Sequence, residues 1–175
     1  MSIIMYDLIK TNGGIQMNEM REMMRKFAIA VNNIDEVYCS DTAQIGVKES
    51  ELWLLYALDD EKPHSQKQIC EEWGFPRTTL NTTIKQAQAQ GYLTLSPIPG
   101  KRREKNVCLT DSGKAYAKQV LRTIYEAEDQ AMAETLERYS IDFIEALEFF
   151  STRLKSAFQK DVDISELTIY KSSDF

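Results

Sequence analysis

Histidine is almost absent from this chain of 175 residues, and the single one is His64. It lies beside Pro63 in a segment that we interpret as a loop. A zinc site or a nucleophilic triad would have to be built without a second histidine, from widely separated cysteines and acids. We therefore expect no catalytic residue, no metal ligand and no cofactor, and we do not interpret the protein as an enzyme.

Cysteine is also scarce. Cys39, Cys70 and Cys108 are odd in number and widely spaced, which argues against a secreted disulfide framework and favours a reducing cytoplasm. The longest apolar run, from Leu52 to Leu58, is far shorter than the roughly 18 residues that a membrane span needs. The opening MSIIMYDLIK lacks the charged start of a secretory signal. We therefore expect a soluble cytoplasmic protein without a membrane partner.

Glycine and proline number only 7 and 4, and both are unevenly placed. All four prolines fall between Pro63 and Pro99, and no glycine follows Gly113. Because these residues are the strongest helix breakers, we expect turns in the middle of the chain and long helices towards its ends.

The chain also lacks an overall positive charge. Its net charge is -6, which taken alone argues against a protein that coats nucleic acid without specificity. The total conceals a segregation of charge: residues 62–118 hold ten basic and four acidic side chains, whereas residues 1–61 hold five and eleven and residues 119–175 hold six and twelve. A basic middle between two acidic flanks limits which part of the chain can face a polyanion.

Two apolar stripes lie towards the ends of the chain. From Met17 to Tyr38 apolar residues recur at alternating spacings of three and four, which predicts one long helix followed by a connection over residues 39–46. A final helix is expected after a Ser140 cap, and residues 161–175 stay unassigned. Each stripe could pack inside its own subunit or against a second copy of the chain. For the second alternative, the predicted dimerisation residues are Met20, Met24, Phe27, Val31, Phe143, Leu147, Phe150 and Leu154.

The basic middle begins with two short helices joined by a turn. Ser65 and Gln68 have the spacing of a capping box, which predicts that a helix begins at Ser65, and Gly74 suits its end. Pro76 can start the next helix because its missing N–H would be unpaired there. This second helix is predicted over residues 77–90 and stops at Gly91.

The helix over residues 77–90 has two different faces. Leu80, Ile84 and Ala87 form an apolar face, and the opposite face carries hydroxyls, an amide and a cation, as a helix in a DNA major groove would need. Asn81 could pair with adenine through two hydrogen bonds, whereas Arg77 at the helix start suits a phosphate. The alternative is a merely solvated face. The predicted DNA contacts on this helix are Arg77, Thr78, Thr79, Asn81, Thr82 and Lys85.

A β-hairpin is predicted after Gly91. The segments YLTLS and NVCLT alternate apolar and polar residues, PIPG turns the chain, and KRREK forms a charged loop. Thr110 then suits the N-cap of a long helix that reaches about Tyr139. Cations in the wing, residues 97–106, could enter a narrow minor groove and contact phosphates, or simply be solvated. The predicted wing contacts are Lys101, Arg102, Arg103 and Lys105, of which Arg103 is the strongest candidate.

Over roughly residues 17–160 this succession of elements resembles the MarR (multiple-antibiotic-resistance regulator) family of winged-helix transcription factors. The resemblance is carried by SQKQICEEWGFPRTTLNTTIKQAQAQGYL and by GKRREKNVCLTDSGKAYA. These segments match the family in a small residue of the first short helix (Cys70), a turn glycine (Gly74), and a wing that ends in Leu109, Thr110 and Gly113.

Two positions depart from the family pattern. Arg103 matches the wing arginine of the family, but Lys101 stands where an aspartate usually braces that arginine. The departure adds positive charge to the wing and removes the family's usual brace. Pro76 stands where a serine or threonine is common, which moves the cap of the second helix towards Arg77 or Thr78.

The resemblance implies a mainly α fold with a small β-hairpin wing, that is, a winged helix-turn-helix with N- and C-terminal dimerisation helices. The expected domains are a leader and dimerisation helix over 1–47, the DNA-binding domain over 48–113, and dimerisation helices with a tail over 114–175. The implied function is a homodimeric, sequence-specific transcriptional regulator with repression as its default effect. Its partners would be a second copy of the chain and double-stranded DNA with a pseudo-palindromic operator.

Other interpretations stay open at this point. The winged helix could serve as a protein-interaction module that does not bind DNA, or the cysteines could form a thiol switch. An apolar helix from about Lys48 to Asp59 is expected to be buried centrally, because Leu54 widens its apolar face. Trp53 and Tyr56 on this helix could line a pocket for a small phenolic or other anionic effector, as the resemblance suggests, although core packing explains them as well.

Overall fold

The computed structural model describes residues 17–160, apart from the side chains of residues 41, 43, 102, 103 and 160. In this part of the chain the helices are α1 (Met17–Ile45), α2 (Glu49–Leu58), α3 (Gln66–Trp73), α4 (Arg77–Ala89), α5 (Asp111–Arg138) and α6 (Asp142–Lys160). The strands β1 (His64–Ser65), β2 (Leu93–Ile98) and β3 (Lys101–Leu109) form one antiparallel sheet in the order β1-β3-β2. The predicted mainly helical fold with a small β wing is confirmed. The leader before Met17 and the tail over 161–175 lie outside the described residues.

The predicted connection over residues 39–46 is wrong, because α1 continues to Ile45. The hydroxyl of Thr42 is buried and lies 3.0 Å from the carbonyl oxygen of Tyr38 and 2.8 Å from that of Cys39, so that it donates back into its own helix. A polar side chain that is satisfied in this way does not end a helix. The end comes at Gly46, whose φ of +79° is a left-handed conformation that glycine adopts without strain.

The first short helix begins and ends where the sequence predicts. The Ser65 hydroxyl accepts a bond from the Gln68 N–H at 3.1 Å, and the Gln68 side chain accepts one from the Ser65 N–H at 2.9 Å. Gly74 closes α3 with a φ of +67°. Pro76 itself takes the N-cap position of α4 without a side-chain hydrogen bond, so the expected move of this cap towards Arg77 or Thr78 is wrong. Gly91 follows the end of α4 with a φ of +78°.

Helix α2 is buried centrally, as predicted, and belongs to two hydrophobic clusters. Its residues Leu54 and Leu58 pack with α3, α4 and the sheet, whereas Leu52 and Leu55 pack with α5. Burial of each leucine stabilises the fold by roughly 1.5–3 kcal/mol. The first cluster comprises Leu54, Leu58, Ile69, Leu80, Ile84, Ala87, Leu93 and Val107, and the second comprises Leu52, Leu55, Ala117, Val120, Leu121 and Ile124.

The wing differs from the predicted hairpin with a charged loop. Strand β3 begins at Lys101, so that the KRREK segment belongs to the strand and the turn contracts to Pro99 and Gly100. The pairing is irregular near the tip, where the partner changes from Lys105 to Lys101 between two successive residues of β2. The register therefore shifts between Pro97 and Ile98, as at a β-bulge, and such an irregularity bends a strand.

A third strand, β1, is too short to be detected by alternation of residue types. His64 pairs with Val107 of β3, so its assignment to a loop is wrong. The His64 Nε2 atom lies 2.7 Å from an Asp60 carboxylate oxygen. This hydrogen bond, followed by one from the Lys62 backbone N–H, holds the pKa of Asp60 below its usual value. The histidine therefore has a structural hydrogen-bonding role beside the sheet.

The chain segments that carry the resemblance contact each other at the start of α5. The Thr110 N–H donates to the carbonyl oxygen of Tyr92 at 3.0 Å, and the Thr110 hydroxyl donates to that of Gly91 at 2.6 Å. The same hydroxyl oxygen accepts a bond from the Gly113 N–H at 3.0 Å, which confirms the predicted cap. A Cβ atom at Gly113 would lie 2.0 Å from the Tyr92 carbonyl oxygen, so only glycine fits.

The described chain divides into two units. One unit spans residues 25–129 and contains both hydrophobic clusters, and the other combines residues 17–24 with residues 130–160. Between Met17 and Lys160, none of the helices has both the length and the hydropathy of a membrane span.

Candidate nucleic-acid interface

Helix α4 has the two faces that the sequence predicts. Leu80, Ile84 and Ala87 are buried in the first hydrophobic cluster. This packing fixes the rotation of the helix about its axis and turns the polar face outwards. The exposed side chains are those of Arg77, Thr78, Thr79, Asn81, Thr82 and Lys85.

The threonine hydroxyls of α4 differ in their roles. Thr83 is buried, and its hydroxyl lies 3.0 Å from the Thr79 carbonyl oxygen and 3.2 Å from the Ser50 hydroxyl, which ties α4 to α2. On the exposed face, the Thr82 hydroxyl donates to the Thr78 carbonyl oxygen at 3.0 Å. Because a hydroxyl oxygen also has lone pairs, Thr82 can still accept a hydrogen bond from a ligand.

A cavity of about 270 Å³ lies between α3, α4 and the wing strand β3. It brings together Arg77 and Asn81 of α4 and Lys105 of β3, which the sequence predicts as DNA contacts. Leu80 and Cys70 add less polar surface. The remaining lining residues are Gln66, Lys67 and Glu104.

Lys67 and Gln66 at the start of α3 were missed by the sequence analysis. The sequence could have indicated them, because an amide and a lysine directly follow the Ser65 cap. At this end of a helix the first N–H groups have no partner within the helix. The Lys67 ammonium lies 3.7 Å from the Glu71 carboxylate, and both side chains are well exposed. Such an exposed pair contributes little and leaves the ammonium able to move to another anion.

The described wing side chains include one ion pair. The Lys101 ammonium lies 2.7 Å from the Glu104 carboxylate, and this hydrogen bond is the main cause that lowers the pKa of Glu104. The ammonium of Lys101 therefore partly neutralises Glu104, the acidic residue that lines the cavity. Lys105 is exposed beside it. The side chains of Arg102 and Arg103 lie outside the described residues, so their predicted contacts stay predictions.

The predicted dimerisation residues lie on α1 and α6. Met20, Val31, Leu147 and Leu154 are exposed. The other four, Met24, Phe27, Phe143 and Phe150, are half-buried. Apolar side chains at helix-packing spacing that remain exposed are typical of an interface with another chain.

Three exposed groups near the end of α1 and the start of α2 lie close together. Asp35, Cys39 and Glu49 each place one potential metal-ligand atom within 4.8 Å of the others. Desolvation, followed by the negative charges of Asp35 and Glu49, raises the pKa of the Cys39 thiol. Because the thiolate is the reactive form, this environment disfavours a thiol switch at Cys39.

Five aromatic rings, Tyr38, Trp53, Tyr56, Trp73 and Tyr125, form a cluster on the unit that spans residues 25–129. We call this group the aromatic cluster. Trp53 lies with its ring centroid 5.0 Å from Tyr38, 5.7 Å from Tyr56 and 6.2 Å from Trp73. Tyr56 lies 5.5 Å from Trp73 and 5.4 Å from Tyr125, edge to face in both cases. Trp53 and Tyr56 therefore pack with other rings while remaining half-buried.

A model of the MarR family matches residues 45–104, which cover α2, the helix-turn-helix and most of the wing. Over this segment the chain is similar to the MarR family. The HTH-type transcriptional repressor NicR of Pseudomonas putida is 36% identical over 61 residues. This alignment covers 35% of the present chain and 39% of NicR, so it is confined to a part of each protein.

Solved MarR structures share the fold of the chain. NMB1585, a MarR family regulator from Neisseria meningitidis, has a TM-score of 0.69 and 22% identity, over 79% of this chain and 98% of its own. AbfR of Staphylococcus epidermidis, solved in its overoxidized form bound to DNA, has a TM-score of 0.55 and 17% identity, over 81% of this chain and 98% of its own. NicR is described as a transcriptional repressor and NMB1585 as a MarR family regulator.

Proposed function

We propose that this MarR-type protein is a sequence-specific, DNA-binding transcriptional regulator that acts as a homodimer and represses by occupying a promoter. The cavity between α3, α4 and β3 carries the proposal. Its cations come from the first short helix, the second short helix and the wing, namely Lys67, Arg77 and Lys105. A single stretch of phosphate backbone that enters this cavity would contact all three elements.

Each element has a separate part in the proposed recognition. Helix α4 reads base edges in the major groove, where the exposed amide of Asn81 can pair with adenine. The cations of the cavity hold the phosphate backbone and fix the register of the helix on the duplex. Arg102 and Arg103 of the wing enter the minor groove. Lys85 and the exposed threonines of α4 complete the contact surface.

The proposed dimer uses the exposed stripes of α1 and α6. In this arrangement residues 48–113 bind DNA, whereas residues 1–47 and 114–175 supply the interface. A two-fold dimer presents two copies of α4, so the operator is a pseudo-palindrome with half-sites about one DNA turn apart. Association with a second copy would also cover apolar side chains such as Leu147 and Leu154, which are exposed in the single chain.

Gel-shift titrations at several salt concentrations test the proposal, with duplexes selected from random sequence. Arg103→Ala should weaken binding to all duplexes and lower the salt slope by about one per protomer. Asn81→Ala should cost about 1–3 kcal/mol and relax specificity at one position of each half-site. Lys118→Ala, which removes an exposed cation from α5 outside the proposed interface, is the matched control and should change neither quantity.

The rival interpretation, a winged helix that binds only protein, gives a different result. It requires that random-sequence DNA is not bound even at low salt. Gel shifts of the Arg103→Ala, Asn81→Ala double variant that equal those of the unmodified protein would also overturn the proposed mode of docking.

A further inference from the structure

An acidic side chain lies among the cations of the cavity between α3, α4 and β3. Glu104 of β3 lines this cavity together with Lys67, Arg77 and Lys105, which come from three different elements. An acid is unfavourable in a surface that meets DNA, because its charge has the same sign as the phosphates. The position of Glu104 therefore needs a reason other than attraction to the DNA backbone.

The Glu104 carboxylate is already engaged by a cation of the wing. Its Oε2 atom accepts a hydrogen bond from the Lys101 ammonium at 2.7 Å. This bond, supported by the charges of Lys101 and Lys67, outweighs desolvation and holds the pKa of Glu104 below its usual value. The carboxylate is therefore ionised at neutral pH, and a cation of α3 acts on it as well as the wing lysine.

The carboxylate offers these cations the same kind of contact as a DNA phosphate. Both are anions whose oxygens accept hydrogen bonds from ammonium and guanidinium groups. The side chains of Lys101 and Glu104 are 56% and 39% exposed, so their pair can open at little cost when a phosphate backbone arrives. A phosphate that enters the cavity must then take cations from Glu104 and approach a negative charge that stays nearby.

We propose that Glu104 is an internal competitor of the DNA phosphates, which engages cations of the cavity in the free protein and so limits the affinity for duplexes of every sequence. This inference rests on the proposed function and adds to it a residue that sets the affinity. Nonspecific binding comes essentially from contacts between cations and phosphates, so competition for these cations lowers it directly. A stable complex then depends more strongly on the base contacts of α4.

Gel-shift titrations with Glu104→Gln test the proposal, on one selected duplex and one random-sequence duplex at several salt concentrations. The substitution keeps the size of the side chain and removes its charge. It should tighten binding to both duplexes by the same factor, roughly three- to tenfold at about 100 mM salt, and steepen the salt slope by about one per protomer.

Two results of this titration would overturn the proposal. One is an unchanged affinity for both duplexes. The other is a change confined to the selected duplex, or an altered base preference at one position, because Glu104 would then read a base edge such as the amino group of cytosine.

The matched control is Glu72→Gln, which removes the same charge from an exposed position of α3 outside the cavity lining. Affinity should change by less than about twofold, because charges away from the contact are screened by salt. Equal gains for Glu104→Gln and Glu72→Gln would attribute the effect to net charge and contradict the competition. Urea unfolding of both variants confirms that they are folded before their affinities are compared.

A double-mutant cycle tests the pair itself. Lys101→Gln removes a cation that is partly occupied by Glu104 in the unmodified protein but is free in the Glu104→Gln background. The loss of DNA affinity should therefore be roughly two- to fivefold smaller in the unmodified background. Equal losses in the two backgrounds would contradict competition for Lys101.

Failure of this inference can be distinguished from failure of the proposed function. If the unmodified protein binds both duplexes and Glu104→Gln binds them equally well, only the role of Glu104 is overturned. If the unmodified protein binds neither duplex even at low salt, both proposals are overturned.

Discussion

The winged part of the chain, residues 48–113, buries its apolar side chains, whereas the terminal helix α6 leaves many of its apolar side chains exposed. Leu80 and Ile84 of α4 are each 1% exposed, whereas Leu147 and Phe158 of α6 are 45% and 68% exposed. In both helices the apolar residues recur at the spacing of a helix face that packs against another surface. The winged part completes its core from its own helices and sheet, but the stripe of α6 requires a second surface, which we propose to be another copy of the chain.

The same two regions also differ in the polar groups that they expose. The winged part has a buried hydrophobic core and, separately, an exposed cavity that is lined by cations. The cations of its surface therefore do not belong to the core that stabilises the fold. In α6 the apolar stripe itself is at the surface. Substitutions should therefore affect stability in the first region and association in the second, and the following predictions test that division from the largest effect to the smallest.

Gly113→Ala should have the largest effect, because the new Cβ would lie 2.0 Å from the Tyr92 carbonyl oxygen and the backbone would have to move. We expect a loss of roughly 3 kcal/mol or more in the free energy of unfolding, measured with urea. Gly100→Ala is the control: its Cβ meets nothing within 4 Å, and only the φ of +77° costs about 1–2 kcal/mol. Equal losses for the two variants would contradict the close contact.

Leu147→Asp should leave the monomer folded and break the dimer. A charge in an apolar interface is unpaired after association, so sedimentation should show monomers, and affinity for a two-half-site duplex should fall roughly 100-fold. Thr152→Asp adds the same charge at an exposed position of α6 outside the stripe and should preserve the dimer. If Leu147→Asp still sediments as a dimer, this stripe is not the interface.

Ser65→Ala should destabilise the winged part moderately. The substitution removes the hydroxyl that caps α3 at 3.1 Å from the Gln68 N–H, which costs about 1 kcal/mol and lowers Tm by about 2–4 °C. Ser151→Ala removes an exposed hydroxyl that bonds within α6 and should change Tm by less than about 1 °C. A larger decrease of Tm for Ser151→Ala than for Ser65→Ala would contradict the expectation that stability depends mainly on the winged part.

Alkaline pH should lower the free energy of unfolding through the hydrogen-bonded tyrosines, whereas a pH change near neutrality should have no such effect. Burial, and then the carboxylates Glu128 and Glu51, raise the pKa of Tyr56 and of Tyr116 to about 12 in the folded protein. In the unfolded chain these phenols ionise near 10, so the unfolded state loses protons first and stability falls as pH rises from about 10 to 12. Urea unfolding at several pH values should show this decline, and Tyr56→Phe should reduce its slope. If Tyr56→Phe leaves the decline of stability with pH unchanged, Tyr56 does not contribute to it.

Much of the winged part could be predicted from the sequence because its limits are set by neighbours in the chain. The Ser65 capping box, Gly74 and Pro76 each act within one helical turn. The two faces of α4 follow from residue spacing alone.

The features that the sequence analysis missed depend on contacts between distant segments. Residues 39–45 stay helical because Thr42 bonds to its own helix and is buried, and strand β1 exists only through its pairing with β3. Lys67 joins the predicted DNA contacts only because α3 and β3 approach each other. The bond between Tyr38 and Glu128 spans 90 residues, so no local pattern could indicate it.

Selection of bound duplexes from a random-sequence library tests the central claim most directly. A dimer that inserts two copies of α4 predicts enrichment of a pseudo-palindrome whose half-sites lie about 10–10.5 base pairs apart, centre to centre. Enrichment of nothing, or of a single half-site without a symmetric partner, would contradict the account of a dimeric DNA-reading protein.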